Sequence, residues 1–124
     1  MNHDDKEKRR NFLEGFNEAQ SLVAQGKKEE AIKCYDKLLE EYSDEKSVLY
    51  GKGMAFYEFN DFTAAIECFD EILDKNPYDI DSLYAKGSIL RIINKRDEAL
   101  TLLDKTIKLD PKLSIAWLTK GYVF

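Results

Sequence analysis

LYGKGMAFYEFNDFTAAIECFDEILDKNP, residues 49–77, is echoed by LYAKGSILRIINKRDEALTLLDKTIKLDP at residues 83–111. The offset is 34 residues, and four separate registers agree on it. Alanine recurs at Ala31, Ala65 and Ala99, and glycine at Gly53, Gly87 and Gly121. A large apolar residue recurs at Tyr35, Phe69 and Leu103, and proline at Pro77 and Pro111. A period between about 20 and 50 residues marks stacked units that each bury an apolar face on the next. Such an array is a binding surface more often than a reaction vessel.

Each unit reads as two short helices. Proline ends a unit, at Asn76-Pro77 and Asp110-Pro111, because it cannot continue a helix and pushes its predecessor away from helical angles. A second break lies midway, at Gln25-Gly26-Lys27, Asn60-Asp61 and Asn94-Lys95. Helices are therefore expected near residues 11–25, 28–42, 46–59, 62–75, 79–93 and 96–109, with a seventh from about 113 to the end. Apolar or small residues at Leu49, Gly53 and Phe56, then Ala65, Phe69, Ile72 and Leu73, keep a helical period. No stretch alternates long enough to predict a strand. Residues 1–11 read as a polar extension, either a frayed terminus or added turn on the first helix.

These residues resemble the tetratricopeptide repeat family, whose pattern is Trp-x2-Leu-Gly-x2-Tyr, then Ala-x3-Phe, then Pro. Residues Leu49, Gly53, Phe56, Ala65, Phe69 and Pro77 match it, as do Leu83, Gly87, Leu90, Ala99, Leu103 and Pro111. A partial unit begins with Trp117 and Gly121 and stops at Phe124. The first unit is weaker, with Gly15, Ala19, Leu22, Ala31 and Tyr35, and Ser43 in the proline place. The resemblance implies an all-α fold: a right-handed superhelical array of antiparallel helix pairs. One domain would span residues 12–124, with repeats near 12–45, 46–79 and 80–113 and a partial repeat at 114–124. The small residues Ala19, Gly53 and Ala65 would let paired helices approach closely. The family's middle leucine is Glu18, Lys52, Lys86 and Lys120 here. The lysine column reads either as stems on the core edge with their ammonium groups in water, or as a strip attractive to an acidic ligand.

Composition limits the function. The net charge is −5, which opposes a groove for nucleic-acid backbone. The longest apolar runs fall far short of the roughly 20 residues that span a bilayer. The expectation is a cytoplasmic protein without membrane or nucleic-acid partners. Cys34 and Cys68 share the 34-residue period, and Leu102 takes the third place, so this is a small apolar packing site. His3 is the only histidine and lies in the polar start, which leaves no Ser-His or Cys-His pairing for catalysis on the repeats. No enzyme activity, cofactor or metal is expected.

The family's first helices line the concave side, and the resemblance assigns to it Phe16, Gln20 and Val23, then Tyr50, Met54 and Tyr57, then Tyr84, Ser88 and Arg91, then Leu118 and Tyr122. Tyrosine gives contact area with a hydroxyl at small entropic cost, and methionine adapts to varied shapes. A peptide or partner helix is the expected ligand. One subgroup grips chaperone C-terminal carboxylates with a Lys, Asn and Arg clamp. The matching positions here are Phe16, Gln20, Gly51, Asp81 and Ala85, so that mode is not expected. Three other readings stay open. Trp117, Leu118, Tyr122 and Phe124 could pair two copies as a homo-oligomer through the last helix. The segment could be the accessory arm of a larger enzyme or regulator. The aromatic groove could hold a small molecule.

Overall fold

The computed structural model describes residues 3–42 and 45–112. Among them the chain is all-α, with helices α1 (His3–Ala24), α2 (Lys28–Glu41), α3 (Glu45–Glu58), α4 (Phe62–Lys75), α5 (Ile80–Ile92) and α6 (Arg96–Leu109). The bounds of α2 to α6 fall within one residue of those the breaks predict. The polar start is helical from His3 and forms added turns on α1. Its Lys, Glu and Arg residues are good helix formers, and Asp4 and Asp5 sit in the first turn, where negative charge suits the helix dipole. The segment expected to form a seventh helix, with Trp117, Leu118, Gly121, Tyr122 and Phe124, lies outside the described residues.

The midway breaks share one geometry. Gly26, Asn60 and Asn94 have φ of 76°, 60° and 66°, the left-handed region that glycine and asparagine enter most readily. Each closes its helix with the same two hydrogen bonds. Gly26 N donates to Val23 O and Lys27 N to Leu22 O, both at 2.9 Å. Asn60 and Asp61, then Asn94 and Lys95, repeat this pair of bonds at 2.8–3.1 Å. The arrangement satisfies carbonyls that a helix end otherwise leaves without partners.

The chain divides into two compact units, Met1–Asp61 and Phe62–Phe124. In the first, α1, α2 and α3 pack around Ala19, Tyr35, Leu38, Val48 and Ala55. Phe12 links this core outward: its ring lies 5.9 Å from Phe16 and 5.3 Å from Tyr42. In the second, α5 lies between α4 and α6 in chain order and contacts both. A Cβ added at Gly87 would stand 3.1 Å from Leu103 Cγ, so this glycine allows the close approach of α5 and α6. Gly53 is buried on α3. The periodic alanines Ala31, Ala65 and Ala99 are each 0% exposed. Ala65→Leu is expected to overpack its site and cost about 1–3 kcal/mol. An unchanged urea midpoint would contradict the register.

Candidate functional site

Helices α1, α2 and α3 line a half-open cavity of about 230 Å³. From α1, Phe16, Gln20 and Val23 line it at the spacing of one helical face. From α3 come Tyr50, Met54 and Glu58, each four residues on from the last. These include five of the residues that the repeat pattern assigns to the concave side. Tyr35 of α2 forms part of the wall while only 2% exposed. Its ring meets Phe16 edge-on, at 5.8 Å and 79°. Burial, followed by the neighbouring Cys34, raises the Tyr35 pKa, so the side chain is a neutral phenol at physiological pH. The walls are mainly apolar, and Gln20 and Glu58 are exposed at the rim. The volume is below the roughly 300 Å³ where small-molecule pockets begin. It suits a single apolar side chain.

Gly51 makes this geometry possible. A Cβ there would lie 2.9 Å from Tyr35 Cε1 and 3.0 Å from Phe16 Cζ. In the sequence Gly51 stands as the counterpart of a clamp position and Tyr35 as a packing residue, and neither is marked as lining a site. Glu58 was also missed, although it stands four residues beyond Met54. Tyr57 is half-buried on α3 and lies outside the cavity lining. Tyr84, Ser88 and Arg91 are half-buried on α5, in the second unit. The expected site residues Leu118 and Tyr122, and the self-association set with Trp117 and Phe124, lie outside the described residues.

The description "Tetratricopeptide repeat" belongs to both family models that match the chain, one over residues 16–80 and one over residues 80–113. The chain belongs to the tetratricopeptide repeat family. No curated protein sequence matches it. Among solved structures it is similar to MamA 41-end from Desulfovibrio magneticus RS-1, with TM-score 0.79 and 24% identity. That match covers 90% of this chain and 63% of the MamA chain, so this chain spans less than two thirds of it. It is also similar to the first TPR of Spaghetti (RPAP3) bound to the HSP90 peptide SRMEEVD, with TM-score 0.78 and 18% identity, over 92% and 90% of the two chains. The second TPR domain of human RPAP3, in complex with the HSP70 peptide SGPTIEEVD, gives TM-score 0.77 at 15% identity over 93% and 96%. At these identities the likeness is one of fold.

The described lysines of the tetratricopeptide column, Lys52 and Lys86, are each paired with an aspartate. Lys52 Nζ lies 2.7 Å from Asp36 Oδ1, and Lys86 Nζ lies 2.6 Å from Asp70 Oδ1. Asp36 and Asp70 are themselves 34 residues apart, and Asp104 continues their column, a signal readable in the sequence. Each pair ties the second helix of one repeat to the first helix of the next. The lysine side chains are 21% and 24% exposed, so their stems are packed against the protein. The aspartates are about half exposed, which limits each pair to about 0.2–1 kcal/mol. Exchanging both charges, Asp70→Lys with Lys86→Asp, is expected to recover most of the stability lost in Lys86→Asp alone. A double variant no more stable than the single one in urea would refute the pairing.

A second cavity in the first unit, of about 370 Å³, is lined by Glu14, Glu18, Glu41 and Lys37 with Cys34 and Leu38. It is larger but offers little apolar wall, which makes it the weaker place for an apolar anchor. The Cys34 thiol donates to Gly15 O at 3.5 Å. Burial, then the charge of Glu18, raises its pKa above the ordinary thiol value. Cys68 is 4% exposed, in keeping with an apolar packing role. A raised pKa lowers the thiolate fraction at any pH below it, and the thiolate is the nucleophile. Cys34 is therefore expected to react with iodoacetamide at pH 8 several-fold more slowly than glutathione. Cys68 is expected to react only on unfolding, as mass spectrometry of timed aliquots would show.

Among the described residues, no helix is long and apolar enough to cross a membrane, and no group of three His, Cys, Asp or Glu residues could hold a metal ion. His3 is exposed, 4.0 Å from Glu7 on the same helix.

Proposed function

We propose that this tetratricopeptide repeat chain is a protein-interaction module that binds an extended or helical peptide, with one apolar peptide side chain seated between α1, α2 and α3. The observation that carries this reading is the cavity bounded by Phe16, Val23, Tyr35 and Met54 with polar groups at its rim. An aromatic groove with a hydrophilic edge suits the anchoring side chain of a bound peptide. Solved relatives of the fold hold peptides, as the RPAP3 domains do. Selection from a random peptide library, displayed against the whole chain, tests the reading. A consensus with one large apolar residue, lost in Met54→Glu, is expected. Circular dichroism would check that the variant keeps its helices. Failure to select any peptide, or an unchanged consensus in Met54→Glu, would overturn it.

A further inference from the structure

Glu58 is the last residue of α3, is exposed to solvent and lines the cavity between α1, α2 and α3 at its rim. Neither the repeat nor the helix accounts for a carboxylate at this place. The positions 34 residues before and after it hold Ala24 and Ile92, so stacking of units does not require a charge. A negative charge at a helix C-terminus adds to the negative end of the backbone dipole and opposes folding slightly. Among the described residues Glu58 has no ion pair. Lys28, which reaches the turn after α3, is held by Asp61 at 3.2 Å and lies 5.9 Å from the Phe56 ring centroid. The rest of the cavity has the same electrical sense. Phe16, Tyr35 and Tyr50 bring three aromatic rings to it, and the faces of such rings attract cations. None of its nine lining residues is a lysine, arginine or histidine. Helix end, rings and carboxylate together draw positive charge to the mouth, while Val23, Met54 and Ala55 keep the wall apolar.

We propose that the bound peptide carries a lysine or arginine near its apolar anchor, and that Glu58 holds this charge at the cavity rim. This inference rests on the peptide-binding reading and adds the sign of the ligand. The stem of a long basic side chain lies along an apolar edge while its head meets the carboxylate. Arginine suits the place better than lysine, because its planar fork matches both carboxylate oxygens and stacks on aromatic rings. Every group involved belongs to the first unit, Met1–Asp61. The same field repels a peptide with an acid at that position.

The test uses the whole chain. Peptides selected from a random library are expected to share a Lys or Arg at a fixed distance from the large apolar anchor. Replacing that residue with citrulline, the neutral isostere of arginine, is expected to weaken binding to the wild type about three- to fivefold. The same exchange is expected to leave binding to Glu58→Gln unchanged. Selection against Glu58→Lys is expected to return the same apolar anchor with Asp or Glu in the basic place. Circular dichroism would check that both variants keep their helices. A consensus with the anchor but no basic residue overturns the inference and leaves the peptide-binding reading standing. A basic preference that survives Glu58→Gln also overturns it. If no peptide is selected, the peptide-binding reading falls by itself. The cation site is then decided by titrating acetyl-Leu-Arg-amide and acetyl-Leu-citrulline-amide and following the Met54 methyl NMR signal. A larger shift with the arginine compound, lost in Glu58→Gln, supports the site. Equal shifts, or none, overturn it.

Discussion

Tyr35→Ala is expected to remove about 3–5 kcal/mol of stability, the range for deleting a fully buried aromatic side chain. Tyr35 is 2% exposed, meets the Phe16 ring edge-on at 5.8 Å, and packs against the open backbone at Gly51. Tyr35→Phe keeps the ring and removes only the hydroxyl, so its loss is expected to stay below about 1.5 kcal/mol. Urea denaturation of the pair separates packing from polarity. A Tyr35→Ala midpoint close to wild type would show that Tyr35 does not anchor the first unit.

The peptide SRMEEVD, which the first TPR of Spaghetti (RPAP3) holds in its solved complex, is expected not to bind this chain. Gripping a terminal carboxylate requires cationic or amide donors converging on it. At the matching positions Phe16 is committed to the Tyr35 ring, and Gly51 has no side chain to offer. Gln20 is exposed and uncharged, Ala85 is 8% exposed, and Asp81 is exposed with the repelling sign. Isothermal calorimetry with the peptide should give only heats of dilution. Saturable binding in the micromolar range would show that another set of donors performs the same task.

The helices were legible in the sequence because their boundaries are punctuated by residues with specific backbone demands. Gly26, Asn60 and Asn94 mark the left-handed turns, and the periodic alanines mark the buried contacts. The start of α1 was not legible, because charged helix formers without an apolar face read equally well as a mobile end. Five residues that the resemblance to the repeat family assigns to the concave side, Phe16, Gln20, Val23, Tyr50 and Met54, line the cavity. Gly51 did not, because its role depends on two rings that come from different helices. The Lys52–Asp36 and Lys86–Asp70 pairs are not legible from the lysine column alone, because the aspartate partners belong to a different helix.

The Lys–Asp pairs bear on how such a chain can change length. Asp36 and Asp70 are used toward the following unit, and Lys52 and Lys86 toward the preceding one. Insertion or deletion of one whole 34-residue unit therefore leaves each internal charge with a mate. A cut of any other size would strand one ammonium and one carboxylate at the junction. The pairing thus favours, by a small increment per junction, growth and loss in complete steps.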